Sequence, residues 1–415
     1  MKTVGLVGFG VSNKALFDYL PKNEYKIFVH LEKEAPLPKG AVGVFGKDYL
    51  LCNEDTVFRS PGIRPDKIKS KHTPICESTY ALSRLDCKSV GITGSDGKTT
   101  TATLVDLLFK AYGFNSFLCG NVGTPVICAP KENLDYATCE LSSFQLMDGP
   151  VPLDTAIITG VTENHLDWHT DMNEYVKCKK SILENARRCV LSYDNEICRS
   201  LGNERTVFAS TKDISHLKGE KIYLKNGYVY ANDTVILEKD KVLLRGEFNI
   251  LNLMLAIGAM PYIDKDAICS VAYTFGGVTH RMELVREICG ISFYNSSIDT
   301  TPSRTIATLS AFDKSKATVI LGGYDKNLSY APLKEGLKGI KCAILLGEAK
   351  DKIAPYIKRP IFVNSIDEAV NYAYSHSARG DTVILSPACA SFDMFSSYKE
   401  RGECFRRAVN SLQSR

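Results

Sequence analysis

The chemistry of this chain is densest in one run, Gly91-Ile92-Thr93-Gly94-Ser95-Asp96-Gly97-Lys98-Thr99-Thr100. A phosphate-binding loop of the form G-x-x-x-x-G-K-[ST] would place its first glycine at Ile92, whereas glycines stand at 91 and 94. The context is nevertheless that of a nucleotide loop. An apolar strand, Ser89 to Thr93, precedes it, and a helix, Ala102 to Tyr112, follows. Backbone amides between such elements, together with the helix N-terminus, hold phosphate oxygens. Lys98 can then reach the β- and γ-phosphates, and the Thr99 hydroxyl can ligate Mg²⁺. The bland alternative is a glycine-rich turn with an exposed lysine; the order strand, loop, helix favours phosphate.

Other residues of the right type follow. Glu140 ends the apolar run Tyr136 to Glu140, where a carboxylate could hold Mg²⁺ beside the loop. His165 follows the strand Thr155 to Thr159, and His165 and His169 are spaced i,i+4. The zinc-hydrolase motif H-E-x-x-H needs a glutamate where Leu166 stands, which argues against that chemistry; a satisfied core histidine is the competing reading. Lys179 sits among Lys177 and Lys180 on one helix, and spacing alone reads this as a solvated basic face. Asn249 and Asn252 lie one helical turn apart on one face. The segment Gly8 to Asn13, G-F-G-V-S-N, lacks the third glycine of a dinucleotide fingerprint; it supports a Rossmann-like sheet and leaves a nicotinamide cofactor open.

Three α/β units can position these residues. In the first, residues 1–87, strands Val4 to Val7, Lys26 to Val29 and Thr56 to Arg59 alternate with a helix ending at Leu20, and Ser60-Pro61-Gly62 makes a turn. The second, residues 88–277, is a central P-loop ATPase-like sheet holding the loop, Glu140 and His165. Within it, residues 204–245 alternate apolar and polar around Asn226-Gly227, which predicts a small antiparallel insertion before a helix from Asn249 to Met260. The third, residues 278–415, is another Rossmann-like sheet with strands Ile291 to Tyr294, Thr318 to Leu321, Ala343 to Leu346 and Thr382 to Leu385.

At 415 residues, 24% charged and a net charge of +4, the chain reads as globular, with no electrostatic case for nucleic acid. No apolar run has transmembrane length and no cleavable apolar leader opens the sequence, so the expectation is a cytoplasmic protein without membrane insertion. Fourteen scattered cysteines without C-x-x-C spacing, including Cys128, Cys139, Cys342 and Cys389 in apolar runs, read as buried free thiols.

The register T-G-x-x-G-K-[ST] resembles that of the Mur ligases and folylpolyglutamate synthases, ATP-dependent amide ligases, with Asp96 where Asn is frequent. Gly120-Asn121-Val122-Gly123-Thr124-Pro125 resembles their G-N-[IV]-G-x-P. Glu140-Leu141-Ser142-Ser143-Phe144-Gln145-Leu146 and Leu385 to Asp393 followed by Arg401-Gly402 are similar to motifs typical of the Mur branch that adds D-glutamate. The resemblance spans essentially the whole chain. It implies ATP at Gly94, Ser95, Asp96, Gly97, Lys98, Thr99, Thr100, Asn249, Asn252 and Arg281, the last reaching phosphate from the third unit. It implies two Mg²⁺ ions on Thr99, Glu140, His165 and Lys179, the lysine carrying CO₂ as a carbamate, because a bare ammonium would repel the metal. Lys98, Glu140, His165 and Lys179 would be catalytic.

By the same resemblance, Val11, Ser12, Ser60, Gly62 and Asn121 would serve UDP-N-acetylmuramoyl-L-alanine, and Thr300, Arg304, Lys326, Ser391, Phe392 and Tyr398 would serve D-glutamate. The implied reaction passes through an acyl phosphate, in a monomeric enzyme of peptidoglycan precursor synthesis and hence of cell-wall biogenesis, cell shape and division. This chain departs from its relatives at His30, where an acidic residue is common, and at Phe248, where histidine is usual. It departs again at Ser296 and Ile298, where Asp and Lys are usual; Pro302 is placed to start a helix that would put Arg304 in its first turn, in compensation for the missing lysine. Two other readings share the loop. A folylpolyglutamate synthase-like ligase is opposed by E-L-S-S-F-Q-L, and a non-ligating nucleotide sensor by the retention of Lys98, Glu140, His165 and Lys179.

Overall fold

The computed structural model describes residues 1–414 as an α/β protein of two compact units. The first comprises residues 1–241 and 248–273, the second residues 242–247 and 274–415.

Unit one holds two large sheets. In the smaller, β1 (Lys2–Val7), β2 (Tyr25–Leu31) and β3 (Ala41–Phe45) are joined by β5 (Thr56–Arg59) in the parallel order β3-β2-β1-β5, and β4 (Leu51–Cys52) pairs β6 (Lys69–Ser70) beside them. The larger sheet runs through β7 (Lys88–Thr93), β8 (Ser116–Gly120), β9 (Tyr136–Glu140), β10 (Thr155–Ile158), β11 (Arg188–Ser192) and β12 (Thr206–Ser210). It ends with β13 (Lys221–Lys225), β14 (Tyr228–Ala231) and β15 (Thr234–Glu238). Its order is β15-β14-β13-β12-β11-β10-β7-β9-β8, so β7, which feeds the phosphate loop, is flanked by β9 and β10. Strands buried on both faces are continuous apolar runs, as parallel sheets require; Ala156, Ile157 and Ile158 of β10 are all fully buried.

The antiparallel insertion expected within residues 204–245 is present as β13-β14-β15 at the edge of this sheet. β12 to β13 is parallel, and β13-β14-β15 then turn back as a meander along the edge. Asn226 and Gly227 both take positive φ (50° and 81°), the turn that two-residue hairpins need.

Unit two is a six-stranded sheet of β16 (Glu283–Ile288), β17 (Ile291–Asn295), β18 (Ala317–Gly322), β19 (Cys342–Leu346), β20 (Ile361–Phe362) and β21 (Thr382–Leu385). The order is β16-β17-β21-β18-β19-β20, with only β16 antiparallel to its neighbour. Apolar layers cover its two faces, one around Phe293, Ile320 and Phe405, the other around Leu309, Leu321 and Leu345.

All fourteen cysteines are free. Cys139 and Cys389 are buried as expected, but Cys128 is exposed and Cys342 only partly covered. Cys128 lies on a surface 3₁₀ turn, Val126–Cys128, where one face alone packs inward, so an apolar neighbourhood in sequence misplaces it.

Candidate active site

The phosphate loop depends on two glycines. Gly94 sits at φ 150°, and a Cβ there would lie 1.9 Å from the Thr159 Oγ1; Gly97, at φ 80°, opens the helix Lys98–Ala111. Side chains then fix the loop from behind. Ser95 Oγ donates to the Thr162 carbonyl at 2.9 Å and meets the Tyr175 hydroxyl at 2.9 Å, and the Ser95 amide donates to the Gly160 carbonyl at 2.7 Å. Tyr175 and Thr159 were not legible as site residues, because each acts on the loop from a distant part of the chain.

Lys98 Nζ donates to the carbonyls of Gly94 (2.9 Å) and Ser95 (3.0 Å). Lys179 Nζ donates to the same Gly94 carbonyl at 2.7 Å and to Thr93 Oγ1 at 3.4 Å. Lys179 is therefore no surface lysine: it is 1% exposed, while Lys177 and Lys180 on the same helix face solvent. Burial first, and Lys98 second, hold its amine well below the usual lysine range. Asn252 closes the loop from the other side. A Cβ on Gly97 would lie 2.4 Å from its Oδ1, which also accepts from Thr101 Oγ1, and its Nδ2 donates to Asn249 Oδ1 at 3.2 Å. Phe248, just before this pair, is exposed. Asp96 is exposed, Thr99 half-buried and Thr100 buried.

Glu140 and Asn121 come together because β8 and β9 pair in register, Gly120 opposite Glu140. Asn121 Nδ2 donates to Glu140 Oε1 at 3.0 Å, whereas Oε2 is buried with no hydrogen-bond partner among the described residues. A buried carboxylate oxygen without a donor is costly, and a hard cation beside the phosphate loop would satisfy it. The residues thus fit Mg²⁺. His165 is exposed and sits at φ 55°, its ring edge-on to Phe144 at 5.0 Å. His169 faces inward, its Nε2 2.9 Å from Ser143 Oγ and its Nδ1 3.2 Å from Glu174 Oε2. The i,i+4 histidines thus differ in burial, one exposed and one buried. The motif at 140–146 acquires a physical meaning here: Ser142 and Gln145 form a reciprocal capping box, Ser143 holds His169, and Phe144 supports His165.

In the N-terminal sheet, Asn13 pins the first loop by donating to the carbonyls of Val7 (3.2 Å) and Gly8 (2.8 Å) and to Ser60 Oγ (3.4 Å). Ser60 and Gly8 are thereby adjacent; a Cβ on Gly8 would come within 2.7 Å of Ser60 Oγ. Val11 is exposed and Ser12 half-buried on the following helix, Val11–Tyr19. Gly62 accepts from the indole nitrogen of Trp168 at 2.8 Å, and Arg64 donates to the Trp168 carbonyl and pairs with Glu174.

In unit two, Arg401 is buried and organises the loops around Ser391. It donates to Ser297 Oγ (3.0 Å) and to the carbonyls of Ser297 (2.8 Å), Ala390 (2.8 Å) and Cys389 (3.1 Å). Its guanidinium is lowered to about 10 by burial. Ser297 Oγ donates in turn to the Tyr398 carbonyl at 2.7 Å. Ser296 is buried and receives the Met282 amide, and Ile298 is half-buried. Thr300 precedes the helix Pro302–Leu309, and Pro302 occupies its first turn as expected. Arg304 and Lys326 are both exposed and form no ion pair among the described residues; Phe392 is 67% exposed, whereas Ser391 is buried. Arg281 is half-buried next to His280, which has φ 62°.

Comparison with known proteins places the chain in a family. Residues 92–260 match the Mur ligase middle domain and residues 280–389 the Mur ligase glutamate ligase domain. The UDP-N-acetylmuramoylalanine--D-glutamate ligase of Clostridium perfringens (strain 13 / Type A) is 37% identical over 99% of this chain and 97% of its own length. The ligase of the same name from Clostridium tetani is 38% identical with the same coverage. Among solved structures, the UDP-N-acetylmuramate-alanine ligase of Thermotoga maritima superposes with a TM-score of 0.62 at 16% identity over the whole of both chains. The MurF ligase of Thermotoga maritima in complex with ADP gives 0.58 at 14% identity, covering 98% of this chain and 95% of its own.

Proposed function

The chain belongs to the Mur ligase family, and from that premise we propose how its residues carry the reaction. It is an ATP-dependent ligase that adds D-glutamate to UDP-N-acetylmuramoyl-L-alanine in peptidoglycan precursor synthesis. In our reading it works as a cytoplasmic monomer of three functional domains, residues 1–87, 88–277 and 278–415. What the structure does show is that no helix among the described residues is long and apolar enough to cross a membrane.

The observation that carries the mechanism is the pair of lysines on one carbonyl, Lys98 and Lys179 at 2.9 and 2.7 Å from Gly94. Lys98 turns from that carbonyl to the phosphoryl group and offsets the charge that develops during transfer. The terminal carboxylate of the L-alanine attacks the γ-phosphorus and ADP leaves. The amine of D-glutamate then attacks the acyl phosphate, forming the amide and releasing phosphate. Lys179, buried and without the surface hydration of its neighbours, is suited to add CO₂; the carbamate exchanges a cation for an anion with two oxygens. Thr99, Glu140, His165 and carbamylated Lys179 would hold Mg²⁺, which neutralises phosphoryl oxygens when bound. Asn249 and Asn252 bound the nucleotide side of the loop. D-glutamate is assigned to Thr300, Arg304, Lys326, Ser391, Phe392 and Tyr398, and the nucleotide sugar to Val11, Ser12, Ser60, Gly62 and Asn121.

The test combines an acceptor panel with a trap. Phosphate release with ATP and UDP-N-acetylmuramoyl-L-alanine should require D-glutamate over L-glutamate, D-aspartate and diamino acids. With D-glutamate omitted, hydroxylamine should yield the hydroxamate of the L-alanyl carboxylate. Preference for another amine would overturn the acceptor, and failure to trap any hydroxamate would overturn the acyl phosphate.

A further inference from the structure

Away from the site just described, the N-terminal sheet buries three side chains that have no part in phosphoryl transfer. His30 is the penultimate residue of β2, Cys52 ends β4, and Glu54 follows two residues later; they are 2%, 3% and 8% exposed. One ligand atom from each lies within 4.8 Å of the others. The imidazole stands between its neighbours, with Nε2 3.1 Å from Glu54 Oε1 and Nδ1 3.8 Å from Cys52 Sγ. Glu54 Oε2 is buried and has no hydrogen-bond partner among the described residues. It packs against the backbone of β1, where a Cβ on Gly5 would come within 2.9 Å of it.

We propose that His30, Cys52 and Glu54 form a structural zinc site at the base of the first glycine loop. The donor set is the first argument. Thiolate and imidazole select zinc over magnesium or calcium. The charges form the second: one thiolate and one carboxylate cancel a divalent cation, so the occupied site is neutral and can be buried without an uncompensated charge. The third is coordination. Each of the three residues supplies one ligand atom, and a water molecule completes the tetrahedral shell. Such a shell needs ligand atoms about 3.5 Å apart; the present ones lie within 4.8 Å of one another, and zinc would take one imidazole nitrogen in place of the contact that nitrogen now makes.

Without a cation the thiol is held protonated: burial, then Glu54, push Cys52 up to about 12. Zinc takes the place of that proton, and one H⁺ leaves for the thiolate–zinc bond that forms. The site matters for its position. The His30 carbonyl accepts the Gly8 amide at 2.9 Å, and Gly8 is the residue that Asn13 and Ser60 hold in place. A zinc ion would clamp the ends of β2 and β4 under that loop and set its conformation without touching a reacting atom.

The test uses the full-length protein, stripped with a chelator, given a small excess of Zn²⁺ and passed through gel filtration. One equivalent of zinc should remain, and its X-ray absorption should show a shell of one sulfur with nitrogen and oxygen. Cys52→Ser should lose the sulfur and the retained metal, and Glu54→Gln should weaken retention at least tenfold. Zinc lodged at the Mg²⁺ site would have no sulfur in its shell and would survive Cys52→Ser. If Cys52→Ser fails to fold, His30→Gln and the wild-type shell decide. No zinc retained by folded wild-type protein, a shell without sulfur, or retention unaffected by these substitutions overturns the proposal.

Discussion

Lys179 shares a nine-residue helix, Met172–Lys180, with two other lysines, and only the fold tells it apart from them. Its side chain turns in under the phosphate loop because Tyr175 and Cys178 share its buried face. Lys179→Ala should lower kcat by about 10²–10³-fold, the scale of losing one preorganised electrostatic group, and leave the unfolding midpoint nearly unchanged. Formate or acetate should restore part of the rate by filling the anion's place. Full activity in the substituted enzyme, or an unmodified amine by mass and diffraction at ample bicarbonate, would refute the carbamate. Arg304 calls for a smaller expectation. It lies in the first turn of its helix, as Pro302 foretells, but it is exposed, so its grip on a carboxylate is shared with water. Arg304→Ala should cost about 1 kcal/mol, roughly a fivefold rise in KM for D-glutamate with that for ATP unmoved. An unaltered KM would leave Lys326 as the cation for that carboxylate. These two residues also mark what a sequence reveals. Motif spacing singled out Lys98, Glu140 and Asn121. It gave no hint that His30, Cys52 and Glu54 meet, because a contact between strands of different sheets leaves no local pattern. Nor did it expose Asn13 or Arg401 as organisers, since a polar residue's burial depends on which oxygens the fold brings to it.

At the scale of elements, strands were more legible than the links between them. The runs at 56–59, 136–140 and 382–385 are strands over those same residues, and nearly every side chain in them is buried. β3 and β8, at sheet edges, and β12, inside the large sheet, are recognised only through their pairing. One helix shows what such links cost. Glu77 begins Glu77–Leu82, is 1% exposed, and accepts the Ile127 amide at 2.6 Å from the turn Val126–Cys128. Burial pushes its carboxyl up to about 7, opposed only in part by that hydrogen bond. Between the unfolded and folded values the native chain keeps a proton that the unfolded chain has released. Stability is therefore greatest below the unfolded value and declines as pH rises through about 7, by up to ~3 kcal/mol from this group. Glu77→Gln, which keeps an acceptor for Ile127, should flatten that decline and raise stability near pH 8 by about 1–3 kcal/mol. Urea unfolding of both proteins on either side of neutrality checks it; parallel pH curves would show that Glu77 titrates normally.

Over the whole molecule, the chain enters the second unit at 242, leaves it after 247 and re-enters at 274, so the two units are interleaved in sequence although each has its own sheets and cores. Separate cores should melt as separate cooperative blocks. Calorimetry should resolve two transitions, and Mg²⁺–ADP at about a hundred times its Kd should stabilise only the block with the phosphate loop, by ~2.7 kcal/mol. Hydrogen exchange would identify that block through new protection at residues 94–108, with residues 317–346 unaffected. One transition shifting as a whole would show that the units unfold together.

The chain has a single tryptophan. Trp168 donates its indole N–H to Gly62 in the loop assigned to the nucleotide sugar, lies 4.4 Å from the Phe144 ring, and has the Arg64 guanidinium 5.1 Å from its ring. Nature has thus placed one dye at one address. Its emission comes from a single environment with no second indole to blur it, and a cation over an excited indole is a sensitive quencher. Movement of the 60–64 loop on binding the nucleotide sugar should shift the colour and brightness of that light, so occupancy can be followed in real time with unlabelled enzyme. Trp168→Phe should abolish the optical signal and spare most of the affinity; a wild-type spectrum unmoved by saturating nucleotide sugar would mean that the loop is already set before the substrate arrives.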